Sequence, residues 1–149
     1  MGRALWVVTL SGTSGLLFSG CLHVGTPPSA AAWVVQVEAP VAEPDLDRAL
    51  KGVLEAELRA RGAWGGPIAV VRVVQADWVP ERRLDEVLVY AARLAVEVDT
   101  GSQQRRFSAT TSRGGLGDGA GASRAREEAF LALAQELGVV AAAWLAAGG

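Results

Sequence analysis

Apolar and polar positions change period several times along the chain, and each change marks an element. Between Asp45 and Gly62, Leu46, Leu50, Val53, Leu54 and Leu58 recur at three- and four-residue intervals. Asp47, Arg48, Lys51, Glu55 and Arg59 hold the other side. That pattern predicts an amphipathic helix with one buried stripe, started at Pro44-Asp45 and stopped by a left-handed Gly62. Before it, Trp33 to Ala39 is β-branched and aromatic and closes at Pro40, which predicts a strand. From Glu86 to Asp99 the period becomes two. Leu88, Tyr90, Ala92, Leu94, Val96 and Val98 share one face, opposed by Arg93, Glu97 and Asp99.

Ile68 to Val79 is β-rich and ends at Pro80, but its two faces are almost equally apolar. A bulge or burial on both sides would account for this. Asp99-Thr100-Gly101-Ser102 reads as a tight turn, after which Gln104 to Ser112 returns with Phe107, Ala109 and Thr111 on one side. Gly114 to Gly121 holds five glycines in eight residues and reads as a flexible connection. It lacks the spacing of a phosphate-binding loop. Ser123 is placed to cap a last helix running to about Ala146, with Phe130, Leu133, Ala134, Leu137, Ala141 and Trp144 inward. The final part of that helix, Val139 to Ala147, is apolar nearly all round, so it either lies deep in the fold or leaves a patch for a partner. The order β-α-β-β-β-α predicts an α+β two-layer sandwich. Its four-stranded, largely antiparallel sheet carries two helices on one face.

The amino terminus is read separately. Met1-Gly2-Arg3 is a short positive start, Ala4 to Leu10 is apolar, and Ser19-Gly20 places small residues before Cys21. These are the parts of a secretory signal, and the last four residues resemble the lipobox of bacterial lipoproteins. The expectation is therefore a signal peptide over 1–20, a lipidated tether over 21–32 and a single domain over 33–149. Cys21 would be acylated and become the first residue of the mature chain. It is the sole cysteine, so neither an intramolecular disulfide nor a cysteine-based metal cluster can form. Leu22 follows it where an inner-membrane retention signal often has Asp, which favours the outer membrane with the domain facing the periplasm.

Composition removes function classes. The formal net charge is −2, with 14 Lys and Arg against 16 Asp and Glu, which argues against a nucleic-acid binder. His23 is the only histidine and lies two residues past Cys21, so a histidine-based triad or metal centre is not expected. Asp77 beside Trp78 is the best candidate for a perturbed carboxylate, and Asp85-Glu86 reads as a solvated strand start. No catalytic set, metal site or cofactor site emerges, and an enzyme is not expected. Residues 68 to 112 read as a three-stranded antiparallel meander, which puts Arg82, Arg83 and Arg113 at one end of the sheet and Arg105 and Arg106 at the other. Arginine pairs well with phosphate, so the first three form a candidate site for an anionic lipid head group.

The mature chain resembles the lipopolysaccharide-assembly lipoproteins of Gram-negative bacteria, the LptE-like family. The resemblance rests on Cys21, the strand Trp33-Val-Val-Gln-Val-Glu-Ala and the helix end Leu54-Glu-Ala-Glu-Leu-Arg-Ala-Arg-Gly62. It continues through Tyr90-Ala-Ala-Arg-Leu-Ala-Val-Glu-Val-Asp, its turn, and the Ala-rich helix from Ser123. It implies a partner, the outer-membrane β-barrel of the lipopolysaccharide transporter. The protein would plug that barrel, assisting its assembly and the passage of lipopolysaccharide. A different outer-membrane lipoprotein on a similar sandwich, a cell-wall synthase activator or a pilotin-like helper, is the competing expectation.

Overall fold

The structure is a computed structural model, and it describes residues 31–39, 44–85, 87–116 and 119–149. Cys21, the signal segment and nearly all of the tether lie outside the described residues. The elements are β1 (Trp33–Glu38), α1 (Pro44–Ala60), β2 (Trp64–Leu84), β3 (Val87–Asp99), β4 (Gln104–Leu116) and α2 (Gly119–Ala146). The sheet order is β1-β2-β3-β4. β1 and β2 run parallel, with α1 as the crossover such a pair requires, and the other two ladders are antiparallel. The predicted class and element order hold, and the sheet is mixed and open.

The core forms because one stripe of each helix meets one face of the sheet. Leu46, Leu50, Leu54 and Leu58 of α1 are buried, together with Ala129, Phe130, Leu133, Ala134, Leu137, Ala141 and Leu145 of α2. They close on Val35, Ala69, Val71, Ala92, Leu94, Val96 and Val98 from the sheet. Each fully buried leucine contributes about 2 kcal/mol relative to exposure. α1 ends as the sequence requires. Gly62 has φ +68°, its N–H bonds Arg59 O at 3.0 Å, and the Ala63 N–H bonds Leu58 O at 2.8 Å. That is a Schellman stop, with Leu58 and Ala63 supplying its apolar contact.

The helices pack tightly at Gly138, where a Cβ would lie 2.6 Å from Val53 Cγ1. α2 is long and apolar enough to cross a bilayer by composition, yet half of its most apolar stretch is buried in the domain. In its last third, Ala141, Ala142 and Leu145 are buried and Trp144 meets Phe107 edge-on at 5.9 Å, while Val140 is exposed. Trp33 joins three elements. Its backbone N–H bonds Ala63 O at 2.9 Å, and its indole Nε1 donates to the α2 carbonyl of Leu145 at 2.9 Å.

Two segments differ from the sequence reading. β2 does not stop at Pro80 but continues to Leu84, and its ladder with β3 shifts between Val73 and Gln75 and again between Pro80 and Arg82. Ala69, Val71 and Val73 face the helices before the first shift, and Ala76 and Trp78 after it. An inserted residue moves every later side chain to the other face, which is why the two faces look equal in sequence. The glycine-rich stretch is the second difference. Gly114 to Leu116 completes β4, and α2 begins at Gly119, ahead of Ser123. The Ser123 hydroxyl donates back to Gly119 O at 2.8 Å within the first turn, so it is not the cap.

Candidate functional site

The arginine cluster is at the predicted end of the sheet, but the sheet divides it. Arg82 pairs with Val89, Arg83 with Leu88, and Arg113 with Tyr90. Leu88 and Tyr90 share the helix-bearing side of β3 with Ala92 and Leu94, whereas Val89 belongs to the other side. Arg83 and Arg113 therefore project on the helix side, and Arg82 projects on the open side. The register shift at Glu81 sets which of the two neighbours goes where. All three are exposed. Arg83 Nε donates to Asp85 O at 2.9 Å, across a turn in which Asp85 adopts a left-handed φ of 52°. At the other end, Arg105 lies over the Phe107 ring at 5.4 Å, and Arg106 donates to Gln75 at 3.3 Å.

The Asp77-Trp78 pair is also divided between faces. Trp78 stacks on Tyr90 on the helix side, with centroids 4.8 Å apart and planes at 10°. Asp77 lies on the open side, opposite Arg93, and accepts a 2.7 Å bond from Gln75 Nε2. It belongs to a polar network that runs across this face. Arg72 Nε meets Glu38 at 3.1 Å, and its Nη1 lies 3.6 Å from Asp99. Gln104 donates to Glu97 at 2.6 Å. Two bridges span β3, from Arg106 to Gln75 and from Ser112 to Glu81 at 3.1 Å. They pass the small side chains of Ala95 and Ala91, which are buried although they face away from the helices.

Exposed ion pairs of this kind contribute about 0–1 kcal/mol each. Their effect is to fix a hydrated, hydrogen-bonded surface. Towards the β2–β3 turn that surface becomes apolar, with exposed Val79 and Leu84 beside Val87 and Val89. The alternation of Arg93, Glu97 and Asp99 along β3 announced a polar face in the sequence. Its partners on β1 and β2 could not be read there, because they depend on the parallel pairing and on the bulges.

Two shallow clefts flank the sandwich. One, of 260 Å³, lies between the start of α1 and the first half of α2, with Leu46, Phe130 and Leu131 beneath Asp45, Arg126 and Glu127. The other, of 470 Å³, follows the outer edge of β1 beside Arg48 and Lys51.

No known protein family and no curated protein matched the chain. Among solved structures, a minor lipoprotein from Acinetobacter baumannii superposes with a TM-score of 0.51 at 15% identity. The match covers 81% of this chain and 95% of that one. Rare lipoprotein B from Shewanella oneidensis matches at 15% identity over 74% and 89% of the two chains, with a TM-score of 0.38. PelC from Paraburkholderia phytofirmans matches at 17% identity over 76% and 88%, also with a TM-score of 0.38. These last two superpose too loosely to bear on the fold. The first shows that this chain and the Acinetobacter lipoprotein share one fold over nearly the whole of the latter.

Proposed function

We propose that this protein is a lipid-anchored, non-enzymatic binding module of the outer membrane, facing the periplasm and held there by Cys21. It seats against the β-barrel of the lipopolysaccharide transporter, occupies its lumen, and assists barrel assembly and lipopolysaccharide export. The observation that carries this reading is the fold shared with a minor lipoprotein over 95% of that protein's length. The small residues Ser19-Gly20 before Cys21 support the same anchor chemistry. Several acyl chains on one residue hold a domain firmly on a bilayer, at about 0.8 kcal/mol per buried methylene. The hydrated network on the open sheet face suits a barrel interior, which is lined by polar groups and water.

The test is purification of the lipidated protein from its membrane in mild detergent, followed by identification of what accompanies it. Recovery of the lipopolysaccharide-transport barrel supports the proposal. Recovery of a peptidoglycan synthase in its place would overturn the choice of partner. Cys21→Ser should release the protein from the membrane fraction, and retention of that variant on the membrane would remove the anchor from the reading.

A further inference from the structure

The two edges of the sheet are built differently. On one side β1 has only six residues, and beyond it the outer edge of β2 runs through two register shifts and Pro80. Short strands, bulges and prolines keep foreign strands from pairing. β4, on the other side, has none of these between Gln104 and Arg113, and its pairing with β3 proceeds without a shift. No strand lies beyond it, so alternate backbone N–H and C=O groups along its outer side have no ladder partner among the described residues.

The side chains on this edge have a definite charge pattern. The centre, Phe107-Ser-Ala-Thr-Thr-Ser112, is uncharged and rich in residues that favour strands. Arg105 and Arg106 stand at one end of it and Arg113 at the other, and the strand holds no carboxylate. Arg106 belongs to the open face, and Arg105 and Arg113 to the helix-bearing face. A strand added here would meet cations on both of its faces.

We propose that β4 accepts an added strand from a partner protein, an extended segment with an uncharged β-prone centre and carboxylates at its ends. Main-chain bonds would supply the pairing, and the arginines would select the sequence. A second copy of this chain is the wrong complement. Two β4 strands edge to edge bring together arginines from both copies and no carboxylate. The proposal is independent of which membrane protein the module serves.

The test uses the full chain and a synthetic peptide of alternating valine and threonine flanked by glutamates. One control peptide has lysine in place of glutamate, and another has a central proline. Binding is read by fluorescence anisotropy, and the site by amide hydrogen exchange. The acidic peptide should slow exchange at alternate residues of β4, and both control peptides should bind at least about tenfold more weakly. Reversing Arg105, Arg106 and Arg113 to Glu, all exposed positions, should transfer the preference to the lysine peptide. Three results would overturn the proposal: equal binding of the lysine peptide, binding that leaves β4 exchange unchanged, or self-association through β4 that the acidic peptide does not displace. None of these readouts involves the transporter barrel, so the two proposals can fail separately.

Discussion

Replacing Gly138 with alanine sets two effects of opposite sign against each other. Glycine inside a helix costs about 1 kcal/mol relative to alanine, so propensity alone predicts stabilisation by that amount. The contact with α1 predicts the reverse. An added Cβ would lie 2.6 Å from Val53 Cγ1 and 3.0 Å from Val53 Cβ, with Leu50 Cδ1 at 3.7 Å. Val53 is β-branched and confined to one favoured helical rotamer, so it cannot swing aside, and the helices must separate. Overpacking of this kind costs about 1–3 kcal/mol. The sum is a net loss of about 1 kcal/mol, or roughly 4 °C in Tm for a domain of this size. Urea denaturation followed by circular dichroism measures it. Val53→Ala in the Gly138→Ala background should recover part of the loss, giving a favourable coupling in the double-mutant cycle. A Gly138→Ala protein more stable than the parent would show that α1 and α2 are not held at this contact.

Three further outcomes are expected. Trp33→Phe removes the indole bond to Leu145 O, but that carbonyl keeps the Gly148 N–H at 3.0 Å. The loss should therefore stay near 1–2 kcal/mol in the same denaturation assay, without an orphaned acceptor. Gly62→Ala forces a side chain into φ +68° and should cost about 1 kcal/mol, read as a lowered Tm. In the lipid-binding reading, Arg83→Ala with Arg113→Ala should weaken binding to lipopolysaccharide more than Arg82→Ala, because only the first two share a face. Equal effects in an equilibrium binding assay would count against a site on the helix-bearing side.

The elements that could be read from the chain are those whose signal is local. The α1 stripe, its Gly62 stop and the alternation of β3 each follow from residues a few positions apart. The register of β2 is set elsewhere. It depends on which residue is looped out against β3, and Val74 and Glu81 carry no mark of that in sequence. Pro80 looked like a stop, yet past Arg72 β2 has no ladder partner on its β1 side among the described residues, so a missing N–H there breaks no described bond on that side. The candidate site suffered most from this dependence. Arg82 and Arg83 adjoin in sequence, which in a strand guarantees opposite faces, and only the bulge decides which of them joins Arg113.

The Trp33 bonds also bear on how the protein can be labelled and handled. They place the start of β1 beside the last turn of α2, so Trp33 and the end of α2 lie at the same end of the sheet. Dyes attached near Ala31 and at Gly149 should report strong energy transfer that disappears when β1 detaches. Under the proposed Cys21 anchor, a reporter fused after Gly149 would crowd the end that carries the lipid. One inserted at the β2–β3 turn would sit roughly 30 Å away, ten residues of β3 from Val98, at the far end of the sheet beside the arginines.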